Sequence, residues 1–117
     1  MNQDQPSSTK LFDQPTALAR VGGDLELLRE IAVLFREECP QALQHLREAI
    51  ARGDGPAAGR VAHGLKGSTS NFGATPAVDA ALKIEQLARD GRIEELHGQY
   101  ETLDRALATL LSELQHI

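Results

Sequence analysis

Tryptophan is missing from the 117 residues, tyrosine and cysteine each occur once, and phenylalanine occurs three times. With few aromatics to stack bases, and with 12 Lys and Arg outnumbered by 17 Asp and Glu, the chain lacks what a general nucleic-acid binder needs. The lone Cys39 excludes an internal disulfide framework and a cysteine zinc cluster. It reads as a small buried hydrophobe of a protein kept in a reducing compartment. No run approaches the ~18 apolar residues of a membrane span. Residues 1–10 (MNQDQPSSTK) lack the basic start and apolar stretch of a signal peptide. A cytoplasmic location without membrane insertion is the expectation. The length suits one domain, and an apolar share of 41% is enough for one packed core.

Apolar residues branched at Cβ are scarce as well. Four Val and five Ile stand against 17 Leu and 16 Ala, a balance that favours helix over pleated sheet. Gly and Pro divide the chain further. Residues 1–12 read as a disordered polar leader, followed by one domain over 13–117. Asp13-Gln14-Pro15 opens a short helix that stops at Gly22-Gly23. Asp24 caps a long second segment whose apolar stripe is Leu27, Leu28, Ile31, Leu34, Phe35, Leu43, Leu46 and Ile50, with a kink expected at Pro40. Arg52-Gly53-Asp54-Gly55 ends it, and Pro56 starts a third helix reaching about Asn71. Thr75-Pro76 caps and starts a fourth, closed by Asp90-Gly91. The last runs from about Ile93 to His116 and buries Leu96, Tyr100, Leu103, Leu107, Leu110, Leu111 and Leu114. The fold expected is all-α, an antiparallel four-helix bundle with a short extra N-terminal helix. Such a bundle fills its own core, so a monomer is expected.

The third helix is the anomaly. Its core positions are Val61, Leu65 and Phe72, with Ala58, Ala62 and Ser68 or Thr69 filling between. At 100° per residue His63 lies about 160° from both Val61 and Leu65, so it points outward. Gly59, Arg60, Lys66, Gly67 and Ser70 share its face. Gly59, Gly64 and Gly67 each cost about 1 kcal/mol against Ala in a helix interior, and a purely structural face would carry Ala, Glu or Lys. A surface stripped in this way invites close approach by another macromolecule, with Gly59, Arg60, Gly64, Gly67 and Ser70 as the partner-binding candidates. An ordinary imidazole titrates near about 6.5, so at pH 7 most of it is neutral and nucleophilic at one nitrogen. Lys66, one turn away, could neutralise negative charge arriving there, and phosphate is the obvious cargo. Glu85, at the boundary of the fourth helix's apolar stripe, is the candidate to accept the ring's other N–H. It also has the spacing for an ordinary helix pair with Arg89.

Ala62-His63-Gly64-Leu65-Lys66-Gly67-Ser68 followed by Phe72-Gly73-Ala74 closely resembles the signature of histidine-containing phosphotransfer (HPt) domains. The resemblance extends over roughly residues 13–115 and takes in Gly22-Gly23-Asp24, Phe35, the Gly53-Asp54 turn and Glu85. It implies that His63 accepts a phosphoryl group through Nε2, that Lys66 and Gly67 shape the surface around it, and that Glu85 holds Nδ1–H. It further implies a phosphorelay between receiver-domain aspartates in two-component signalling, fed by a hybrid sensor histidine kinase. No cofactor of the chain's own is expected, because the magnesium of that reaction belongs to the receiver. Gly64 departs from the family, which more often carries Thr, Ser or Ala there.

Other signals are weaker. Gly64-Leu65-Lys66-Gly67 is not a phosphate-binding loop, which needs Gly-Lys-Ser/Thr in succession; no ATP site or autokinase activity is expected, and the chain reads as a carrier rather than an enzyme. His45, His97 and His116 lack metal-ligand spacing, so no metal is expected. Glu37-Glu38 and Glu94-Glu95 read as solvated faces. The alternative to phosphoryl relay is a non-catalytic helical adaptor using the same face. A hydrolase with His63 as general base is the weakest reading, because a convex helix surface offers no pocket.

Overall fold

The computed structural model describes residues 10–117, and among these every regular element is helical. Aspartates open the first three helices. Asp13 accepts from the Thr16 amide at 3.1 Å, Asp24 from Leu27 at 3.1 Å and Asp54 from Ala57 at 3.0 Å. Each bond satisfies one amide that a helix start leaves without an internal partner. The helices so begun are α1 (Gln14–Arg20), α2 (Leu25–Ala51) and α3 (Gly55–Ser70). The next, α4 (Thr75–Arg89), starts differently from expectation. Its cap position is Ala74, which offers no side-chain acceptor, and Thr75 is already helical with Pro76 in the first turn. A single 3₁₀ turn, Ile93–Glu95, leads into α5 (Leu96–Leu114).

Short connections fold α2 to α5 into the bundle: α2 packs on α3, α3 on α4, α4 on α5 and α5 back on α2. The small α1 rests against α2. Pro40 does not interrupt α2, which is continuous from Leu25 to Ala51. The stripe that α2 buries differs in phase from the one its leucines suggest. Leu28, Ala32, Phe35, Cys39, Leu43, Leu46 and Ala49 face the core, whereas Leu27 and Leu34 are exposed, Leu34 by 54%. Two overlapping stripes fit the same leucines, and the neighbouring helices accept the one whose small residues, Ala32, Cys39 and Ala49, allow close approach. Cys39 is thus a core residue. Burial pushes its thiol up to about 11, with the Asp104 carboxylate adding to the effect, so it is an unreactive thiol.

Of the expected leader over residues 1–12, residues 1–9 lie outside the described residues, while Leu11 and Phe12 pack against the helices. Phe12 is buried, with its ring centroid 6.2 Å from that of Phe72 in an edge-to-face contact. The Glu113 carboxylate accepts the amides of Leu11 and Phe12, the latter at 2.6 Å, and the Asp13 amide donates to the Phe72 carbonyl at 2.9 Å. Two adjacent apolar side chains dock the stretch: Leu11 packs partly buried against the core, and Phe12 meets the matching face of Phe72. Gly73 makes the approach possible: its φ is +64°, and a Cβ there would lie 2.8 Å from Asp13 Cβ.

Candidate functional site

Small residues bring α3 and α4 together. Ala58 and Ala62 of α3 are buried, as are Ala77, Ala80 and Ala81 of α4. A Cβ added to Gly59 would sit 3.5 Å from Ala88 Cβ, an ordinary contact distance. At this spacing a side chain on the outer edge of one helix reaches the other. Glu85 does so, 15% exposed at the seam, while the His63 side chain is 68% exposed on the outer face of α3.

One carboxylate gathers the site. Glu85 Oε2 lies 2.9 Å from His63 Nδ1, and Oε1 accepts from Lys66 Nζ at 2.8 Å. The Arg89 guanidinium stands 3.7 Å from Oε2, the helix pair that the four-residue spacing allows. The Lys66 hydrogen bond, helped by the one from His63, holds the Glu85 carboxyl below the usual range against the opposing effect of burial. Ionised, it can only accept, so His63 Nδ1 carries the proton and Nε2 keeps its lone pair on the solvent side. A folded-state pKa below the ordinary value of about 4.3 means that this cluster stabilises the fold above that pH. The contribution is lost as acid takes the pH down through the folded value.

The sequence candidates divide in space. Gly64 and Gly67 are open: a Cβ added at either meets nothing within 4 Å. Arg60 is exposed. Gly59 is not part of a bare face; it is half-buried against Ala88 and serves helix packing. Ser70 is half-buried too, its Oγ donating to the Gly67 carbonyl at 2.8 Å. Lys66 is turned away from the free side of the ring and onto Glu85. That placement follows from α4, which spacing within α3 alone does not reveal.

The surface beside the ring is not simply convex. A groove of about 460 Å³ runs between α3 and α4, floored by Gly59 and Ala88, walled by Arg60 and Arg89, and ended by His63 and Glu85. A second, of about 280 Å³, lies between α2 and α3 over Phe35, Cys39, Ala42, Val61 and Leu65, with Gly64 and Ser68 at its edge. Leu34 and Ile31 extend this apolar surface along α2. The leucine and isoleucine left over from the buried phase of α2 were the only sequence signal for it. Among the described residues no group of three or more His, Cys, Asp and Glu could hold a metal, and no helix is long and apolar enough to cross a membrane.

Comparison with known proteins places this arrangement. A family model described as the Hpt domain matches residues 30–116. No curated protein matches the sequence. Among solved structures, the histidine-containing phosphotransfer protein B (HptB) from Pseudomonas aeruginosa PAO1 is similar, with a TM-score of 0.83 and 22% sequence identity. The match covers 90% of this chain and 91% of that one. At that identity the likeness speaks for the fold.

Proposed function

The chain belongs to the Hpt domain family, whose members are histidine phosphocarriers in phosphorelays, and we propose that His63 is the residue that carries the phosphoryl group. The observation that supports this reading is the exposed ring with Nδ1 tied to an ionised carboxylate and Nε2 facing solvent. The Nε2 lone pair attacks the phosphorus of a receiver's aspartyl phosphate. A P–N bond forms as the P–O bond to the aspartyl carboxylate breaks, and the electron pair leaves with that carboxylate. The Nδ1 proton stays on the ring, which becomes cationic, and Glu85 stabilises the charge as it develops. Transfer to a second receiver is the same displacement in reverse, with an aspartate oxygen attacking and His63 Nε2 leaving.

Lys66 keeps Glu85 ionised and aimed in this scheme. Gly64 and Gly67 leave room for the receiver's backbone, with Arg60 beside them and Gly59 and Ser70 shaping the helix beneath. The partners are receiver domains and a hybrid sensor kinase. Magnesium is held by the receiver, ATP is not used, and the protein works as a cytoplasmic monomer whose domain runs from about Lys10 to the last helix.

The test is a transfer assay with a phosphorylated, radiolabelled receiver domain. Label should move to this protein in a form that is labile to acid and stable to base, and a second receiver should remove it. A folded protein that binds receivers yet takes no label would be an adaptor instead. Glu85→Ala should slow uptake on the order of 10- to 100-fold, the range known for carboxylates behind metal-bound imidazoles, because the ring loses the acceptor that fixes its tautomer. Circular dichroism should be unchanged, and an unaltered rate would remove Glu85 from the mechanism.

A further inference from the structure

A phosphoryl group on His63 would bring a charge of about −1.5 to −2 and three acceptor oxygens to the surface of α3. Three cations lie within a turn or so of the ring, and two of them are occupied. Lys66 Nζ is 2.8 Å from Glu85 Oε1, and Arg89 Nη2 is 3.7 Å from Oε2. Both therefore offset a charge the protein already has. Arg60 differs, making no ion pair and no side-chain hydrogen bond among the described residues. Glu38 and His45 of α2 share the α2–α3 groove with it, and neither is paired with it.

Its place suits an incoming anion. Arg60 precedes His63 by three residues on the same face, where side-chain roots stand about 5–6 Å apart. It borders the α3–α4 groove that His63 ends, and also the α2–α3 groove on the other side of α3. A guanidinium is charged at every working pH, and its planar fork fits two phosphoryl oxygens at once. Resting on the reading of His63 as the acceptor, we propose that Arg60 is the catalytic residue that grips the phosphoryl oxygens. Lys66 then acts only through Glu85. As the P–N bond to Nε2 forms, the guanidinium donates to oxygens whose charge no other nearby cation is free to meet.

Two donors test this, because they separate phosphoryl contact from partner docking. The first is a phosphorylated receiver domain. The second is phosphoramidate, from which Nε2 takes the phosphoryl group while ammonia leaves, with no protein partner involved. Arg60→Gln should slow labelling of His63 by about tenfold with both donors, the scale of a charge-assisted hydrogen bond at a solvated site. Arg60→Lys, which keeps the charge and loses the fork, should fall between. The melting curve should not move, since Arg60 is exposed. In ³¹P spectra the phosphoryl titration should lie at higher pH in Arg60→Gln than in the wild type, because the guanidinium favours the dianion. Slowing with the receiver alone would make Arg60 a docking contact and overturn the proposal, as would unchanged rates with both donors. Failure of the wild type to take label on His63 from either donor is a separate outcome: it would sink the acceptor assignment itself.

Discussion

His63→Gln should abolish phosphoryl uptake, lowering it by more than about 1,000-fold, or roughly 4 kcal/mol in the barrier. The amide nitrogen of Gln has its electron pair delocalised into the carbonyl, so it offers no nucleophile where Nε2 stood. The same substitution is mild for the fold. The ring is 68% exposed, and a Gln amide can still donate to Glu85. The measurement is therefore paired: label incorporated from a phosphorylated receiver, and the thermal melt of the same sample. A lost label with an unmoved melt is the expected result. Label retained by His63→Gln would place the acceptor elsewhere. The adaptor reading predicts something different, namely that the variant keeps both receiver affinity and signalling output, and only the second of these separates the two.

Much of the site was legible because it depends on local geometry. The cap aspartates Asp13, Asp24 and Asp54 carry their signal within three residues, and a helical wheel turns His63 away from Leu65 without knowledge of any partner. The boundary position of Glu85 allows both a pairing with His63 and an ordinary helix pair with Arg89, and the structure shows the carboxylate near both. What escaped depends on which surface meets which. Leu27 and Leu34 looked like core until α3 and α5 selected the phase of Leu28, Phe35 and Leu43. Gly59 and Gly67 look alike in the sequence, yet Ala88 lies against the first and open space surrounds the second. Lys66 lies one turn from His63 by spacing, but a carboxylate on another helix claims it. Phe12 was lost in a polar stretch because its partner, Phe72, lies sixty positions along the chain.

Phe72→Ala should be the most damaging single truncation for stability, at about 3–5 kcal/mol. Phe72 is fully buried just past the end of α3, where three parts of the chain converge. Its ring centroid lies 5.1 Å from that of Phe35 on α2 and 6.2 Å from that of Phe12 on the N-terminal strap. Deleting it removes two aromatic contacts, worth about 0.5–1.5 kcal/mol each beyond area, and leaves a cavity between elements that backbone hydrogen bonds hold in place. The strap cannot easily collapse into the gap, since the Asp13 amide is fixed to the Phe72 carbonyl and Glu113 holds Leu11 and Phe12. Small domains have total stabilities of about 5–15 kcal/mol, so this loss is a large share of the whole. Leu34→Ala, which removes a side chain of similar apolar character at an exposed position, should change stability by no more than about 0.5 kcal/mol. Urea unfolding of both variants decides the matter, with the midpoint shift read at unchanged slope. If Phe72→Ala loses no more than Leu34→Ala, the aromatic junction does not hold the strap to the bundle. In that case the folded unit begins at α1 rather than at Lys10.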